Sequence, residues 1–208
     1  AGLAALARDE RTMGFDLTIS PLLRLAVVRT DDEVRHVVWT WHHLLLDGWS
    51  AAIVLRDVWT CYEALRHGRA PWDTTPRPYK DYIRWLKSQD FAEAERFWRE
   101  MLHEVDVPTP FGVDRPAPAP GGEAIRRRLR LSTEATAALQ HFARRQRVTL
   151  NSIVQGAWAL LLSRYSGRRD LVFGATVSGR RPSIDGVESM VGLLIRTVPV
   201  RVRIGNED

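Results

Sequence analysis

Residues 41–50 read Trp41-His42-His43-Leu44-Leu45-Leu46-Asp47-Gly48-Trp49-Ser50. Two imidazoles stand side by side, and a carboxylate follows after three leucines. Such a stretch is a metal site, a catalytic loop or a turn into a core, and its flanks narrow the choice. Val34 to Trp41 is an apolar run that leads directly into His42, and Pro21 to Arg29 is a second such run. Asp31-Asp32 between them signals a turn. The two runs are therefore expected to form an antiparallel pair, buried on both faces in a layered α/β body. From Trp49 to His67 the pattern turns helical, with Ala51, Leu55, Val58, Tyr62 and Leu65 on one stripe. Gly48 precedes that helix, Ser50 is placed to cap it and Gly68 to end it. The quoted stretch is thus a strand-to-loop-to-helix crossing, where chemistry is often sited.

Further along, two short helices are expected at Pro78 to Ser88 and Phe91 to His103. Between Val107 and Gly122 the chain becomes proline-rich and ends in two glycines, the composition of a linker. It separates residues 1–106 from a second α/β stretch over 123–208. That stretch opens on Arg126-Arg127-Arg128-Leu129-Arg130. As a strand it would point Arg126, Arg128 and Arg130 to one solvated face and Ile125, Leu129 and Leu131 to the other. Helices are expected from Thr133 to Arg147, with Ala135, Ala138, Leu139 and Phe142 on one face, and from a Thr149 cap through Tyr165, the latter more buried. Strands are expected at Asp170 to Val177 and Thr197 to Ile204.

The 208 residues are 45% hydrophobic, enough for a substantial core, and carry a net charge of +5. The basic residues are scattered and mostly arginine, so a nucleic-acid stripe is not the expected reading. No run of 18 apolar residues and no signal-peptide layout occurs, and the single cysteine, Cys61, suits a reducing compartment. A cytoplasmic location follows as the expectation, without membrane contact.

Metal binding fits the histidines poorly. On a strand His42 and His43 point to opposite faces, and no nearby Cys or Glu completes a ligand set. Nucleophilic catalysis finds no G-x-S-x-G elbow and ATP chemistry no phosphate loop. A core turn accounts for one histidine and Asp47 but gives the second ring no reason to face the other way. What remains is a histidine acting on a proton of a bound substrate, with a rigid polar frame behind it.

His42-His43-Leu44-Leu45-Leu46-Asp47-Gly48 resembles the H-H-x-x-x-D-G motif of condensation domains in nonribosomal peptide synthetases, within the chloramphenicol-acetyltransferase-like acyltransferases. Tyr79-Lys80-Asp81-Tyr82-Ile83-Arg84-Trp85 resembles that family's Y-x-D-[FY]-x-x-W motif. Phe173 to Arg180 (F-G-A-T-V-S-G-R), with Val187 to Gly192, resembles its next block, and Leu193 to Arg201 its F-[IV]-N-T-x-x-x-R segment. Arg196 stands where that segment usually has Asn. The motif expected upstream of Gly14-Phe15-Asp16 and the late motifs after Ile204 are absent.

The resemblance implies a two-lobed fold with a tunnel, represented by the end of the first lobe (1–106), the linker (107–122) and the start of the second (123–208). It implies amide formation, in which the amine of a carrier-bound aminoacyl group attacks a carrier-bound acyl or peptidyl thioester. His43 would be the base. His42, Asp47, Gly48 and Arg180 would support its loop, Asp47 by pairing with Arg180 and Gly48 by offering its N–H to an oxyanion. Trp49 and Ser50 would meet substrate. Partners would be donor and acceptor carrier domains and a neighbouring adenylation domain. No cofactor or metal would be held by the chain itself, since phosphopantetheine arrives with the substrates. Two alternatives stay open: a non-catalytic remnant that binds carriers, and another acyltransferase of the same motif, ester-forming or epimerisation-type.

Overall fold

The protein is described here by a computed structural model, in which residues 2–71, 75–105, 108–111, 127–180 and 183–205 are described. Helix α1 (Leu3–Thr12) precedes strands β1 (Leu23–Arg29) and β2 (Arg35–Trp41). Helices α2 (Gly48–Arg66), α3 (Tyr79–Lys87), α4 (Ala92–Met101), α5 (Thr133–Arg145) and α6 (Leu150–Ser166) follow. Strand β3 (Asp170–Val177), a single 3₁₀ turn (Val187–Ser189) and strand β4 (Arg196–Arg203) complete the order. No helix of the described residues is long and apolar enough to cross a membrane. The chain divides into two compact units, Ala1–Asp90 with Thr176–Arg196, and Phe91–Ala175 with Thr197–Asp208.

In the first unit β1 and β2 pair antiparallel from Leu23↔Trp41 to Arg29↔Arg35, closed by a turn over Asp31-Asp32 in which Thr30 N–H donates to Val34 O at 3.2 Å. Period-2 alternation puts Leu23, Leu25 and Val27 on one face with Trp41, Trp39 and Val37. That face is not buried as expected. Leu25, Val27 and Val37 are each 62% exposed, because no described element covers them. The opposite face is half-buried, and there Arg24 ties β1 to α1 through Glu10 at 2.6 Å and lies 4.2 Å over the Phe15 ring.

The expected stripe of α2 is likewise corrected. Ala51 is buried, but Leu55, Val58, Tyr62 and Leu65 lie exposed, and the helix instead buries Ser50 and Ile53 with Ala51. Its cap is Asp47 rather than Ser50: the Asp47 carboxylate accepts the Ser50 N–H at 2.7 Å, satisfying a donor that the first helical turn leaves open. The core of this unit gathers Tyr82, Ile184, Val187, Met190 and Leu194, with Tyr79, Ile83, Trp85 and Leu86 packed against it.

In the second unit, Ser132 and Thr149 cap α5 and α6 by accepting from Ala135 N–H and Ser152 N–H, each at 3.1 Å. Gly167, at φ +69°, ends α6 in the left-handed region that costs glycine nothing. Ala159, Leu162 and Leu171 form the core with Phe111, Phe173, Val202 and Ile204. The arginine-rich stretch is not a strand. Residues 127–130 are exposed and belong to no strand, Leu129 reaching 89% exposure, and Arg126 lies outside the described residues. Of the proline-rich stretch 107–122, only 108–111 are described.

Candidate active site

The loop after β2 is fixed at its start by the sheet. His42 N–H donates to Leu22 O at 2.9 Å, extending the β1–β2 pairing by one residue. The chain then turns, with Leu45 N–H donating to His42 O at 3.0 Å. The His42 ring is half-buried, and its Nδ1 accepts the Leu44 N–H at 3.1 Å, which leaves the proton of the neutral ring on Nε2. Phe15 meets that ring edge-on at 6.2 Å. His43 is different. Its side chain is exposed and makes no hydrogen bond to any described residue.

After the leucines the chain goes inward. Leu46 and Asp47 are buried, and Asp47 is only 1% exposed. One carboxylate oxygen accepts Ser50 N–H, and the other accepts Leu194 N–H at 3.0 Å and Ile195 N–H at 3.2 Å. Arg180 Nη2 stands 3.6 Å from the first oxygen. Burial alone would push the Asp47 carboxyl up, but the Ser50 and Leu194 amides, the Ser50 side chain and the Arg180 charge outweigh it and hold the group below its ordinary value. Asp47 is therefore an ionised structural anchor turned away from solvent.

Arg180 is bound on every side. Its Nη1 donates to Val187 O at 2.6 Å and Met190 O at 2.8 Å, and its Nη2 to Ser50 Oγ at 2.9 Å. The guanidinium also lies 5.6 Å from the Trp49 ring centre, and Trp49 Nε1–H donates to Glu188 O at 3.3 Å. A buried cation held by carbonyls, a hydroxyl and a carboxylate is compensated, which burial demands. Trp49 remains 56% exposed, so its indole can still face a ligand. Ser50 cannot: it is fully buried, and its hydroxyl is spent on Gly192 and Arg180. This corrects the expectation that Ser50 meets substrate. A Cβ on Gly48 would touch nothing, and its N–H donates to no described residue, so this end of α2 is open.

Four residues essential to this frame were not among the expected site residues. Gly192 N–H donates to Ser50 Oγ at 3.1 Å and Gly192 O accepts from it at 2.6 Å. A Cβ on Gly192 would come within 2.2 Å of the Tyr79 ring, so only glycine fits there. Tyr79 OH donates to Leu193 O at 2.8 Å, and burial pushes its phenol up, keeping it a neutral donor. Tyr82 stacks between Tyr79 and Trp85 and accepts from Arg196 Nε at 3.1 Å. Arg196, standing where the resembled segment usually has Asn, thus holds the Tyr82 hydroxyl. The signal lay in the Tyr79–Trp85 and Val187–Gly192 motifs, which mark the residues but not their partners.

A family model described as the condensation domain matches residues 2–208. Chondramide synthase cmdD of Chondromyces crocatus is 46% identical over 198 residues, covering 95% of this chain and 5% of that protein. Bacitracin synthase 3 of Bacillus licheniformis is 38% identical over 199 residues, covering 96% of this chain and 3% of that protein. The chain thus spans a small fraction of the length of these curated relatives. The crystal structure of the X-domain from teicoplanin biosynthesis superposes with a TM-score of 0.81 at 31% identity, over 99% of this chain and 48% of that one. The first condensation domain of the calcium-dependent antibiotic synthetase superposes with a TM-score of 0.69 at 23% identity, over 98% of this chain and 48% of that one, a likeness of fold. With the histidine loop, the tyrosine helix and the glycine-containing segment joined as described, and with the family match running from residue 2 to residue 208, the chain belongs to the condensation-domain family and has its chloramphenicol-acetyltransferase-like α/β fold.

Proposed function

We propose that this chain contributes the catalytic loop of an amide-forming condensation, with His43 as the base. The observation that carries the reading is a contrast within one loop. His42, Asp47 and Ser50 are all committed to protein partners, while the His43 ring alone is exposed and free of hydrogen bonds among the described residues. A general base needs that freedom together with a fixed backbone.

In the reaction, the amine nitrogen of an aminoacyl group on an acceptor carrier attacks the thioester carbonyl of an acyl or peptidyl group on a donor carrier. The N–C bond forms as His43 takes a proton from nitrogen, the C–S bond breaks, and the departing phosphopantetheine thiolate takes up a proton. The open Gly48 N–H at the start of α2 is positioned by the Asp47 cap to stabilise the developing oxyanion. Trp49 lines the approach, and Arg180 holds Asp47 and the loop rather than touching substrate. The carriers, with an adenylation domain that loads the acceptor, are the partners on this reading; phosphopantetheine belongs to them. The lobe boundary is proposed at 107–122.

Magnitudes divide the work. A positioned base contributes roughly 10²–10⁴-fold, whereas holding two reactants in register reaches effective molarities of about 10⁵–10⁸ M. Positioning is therefore the larger share, and His43 removal leaves residual turnover. The test is single-turnover amide formation by the full-length protein with both carriers loaded, comparing wild type with His43→Ala. A loss of about 10²-fold or more supports the base; a change under about threefold removes it.

A second reading is docking without turnover. It draws support from the X-domain, 30% identical, which has been solved as a complex with OxyB. On that reading a protein partner binds wild type and His43→Ala equally, and neither forms amide.

A further inference from the structure

Within the first unit, the loop that carries His43 hangs between two fixed ends. One is the His42 amide on Leu22 O. The other is the first turn of α2, where the Ser50 hydroxyl donates to Gly192 O at 2.6 Å and accepts from Gly192 N–H at 3.1 Å and from Arg180 Nη2 at 2.9 Å. This oxygen uses its donor and both acceptor sites, which is all a hydroxyl has. It is also fully buried, so it touches no substrate. Gly192 is pressed from its other side by the Tyr79 ring, and Tyr79 OH holds Leu193 O at 2.8 Å. The segment from Gly192 to Ile195 therefore has no slack to follow a loosened helix start.

We propose that Ser50 is a positioning residue: its hydroxyl latches the start of α2 to Gly192 and Arg180, and thereby sets where the His43 ring is presented. The inference rests on the reading of His43 as base. Removing the hydroxyl leaves the Asp47 carboxylate on its three amide donors and the long Asp47 N–H to Gly192 O contact at 3.5 Å. The cap and the ion pair therefore survive, while the helix start loses the hydroxyl's bonds to Gly192 and Arg180 and with them its close fit. A displacement of about 1 Å in a reacting group costs up to roughly 10²-fold in rate. Because Ser50 meets no ligand, the loss falls on kcat and spares KM.

The experiment measures kcat and KM for each loaded carrier in the full-length protein, with Ser50→Ala, Ser50→Cys and His43→Ala compared with wild type. The expected result is a fall in kcat of about tenfold for Ser50→Ala with KM changed less than about twofold, and a fall for Ser50→Cys as well, whose thiol is bulkier than the hydroxyl and forms weaker hydrogen bonds. Should Ser50→Ala fail to fold, Ser50→Cys decides alone, and a kcat at the wild-type level overturns the latch. A folded Ser50→Ala with wild-type kcat, or with KM raised and kcat unchanged, overturns it as well. If Ser50→Ala loses kcat while His43→Ala keeps it, the base reading falls, and the claim that the latch acts by aiming His43 falls with it. If His43→Ala loses turnover by about 10²-fold or more and Ser50→Ala keeps the wild-type kcat, the base stands and the latch falls.

Discussion

Replacing Asp47 with alanine removes an acceptor from three backbone N–H groups, those of Ser50, Leu194 and Ile195, and a counter-charge from Arg180. Each buried donor left without a partner costs about 1–3 kcal/mol, and breaking a buried ion pair from one side costs about 3–5 kcal/mol. These contributions overlap. Arg180 keeps Val187 O, Met190 O and Ser50 Oγ, which lowers the charge contribution, while the orphaned amides have no second acceptor among the described residues. The expected loss is about 3–5 kcal/mol, a large share of the roughly 5–15 kcal/mol that holds a typical domain. Asp47→Asn should fall between the two, since its NH₂ must face either the Ser50 amide or the Leu194 and Ile195 amides, donor against donor. Urea unfolding followed by tryptophan fluorescence gives the comparison. An Asp47→Ala protein within about 1 kcal/mol of wild type, yet inactive, would place the carboxylate in the chemistry instead of the frame.

His43→Ala should shift Tm by less than about 2 °C, because the ring is exposed and bonds to nothing described; a larger drop in a thermal melt would show that the ring is structural. Gly192→Ala should cost at least about 1–3 kcal/mol in urea unfolding, since the new methyl lands 2.2 Å from a Tyr79 ring that is stacked on Tyr82 and tied to Leu193 O; an unchanged midpoint would mean the ring yields freely. Acid should weaken the fold through Asp47. Its folded-state pKa lies below the ordinary 3.8, so the unfolded chain takes up the proton first, and the contribution present above about pH 4 is lost as pH falls through the folded value. Asp47→Asn should flatten that acid limb in a pH series of unfolding midpoints, and an unaltered limb would assign the acid sensitivity elsewhere.

Local features were legible because local physics writes them. The β1–β2 hairpin follows from two apolar runs around Asp31-Asp32, and α6 from the Thr149 cap. Periodicity groups Leu55, Val58, Tyr62 and Leu65 on one face of α2, but it does not tell which neighbour, if any, covers that face. The arginine run alternates like a strand and yet has no strand beside it, since pairing is a property of two segments. Asp47 with Arg180 was foreseen only through the family resemblance; nothing near either residue announces the other. Ser50 was misread for the same reason: a serine at a helix start suggests a cap, and its real partner is Gly192.

Ser50 and Gly192 are separated by 142 positions in the chain. At a translation speed of about 5–20 residues per second, the histidine loop is made roughly 7–28 s before its anchor. During that interval the loop has its sheet end and nothing to close the other. The loop gains its second tie last, so a nascent chain stopped short of the glycine carries the whole signature motif without the Ser50 anchor.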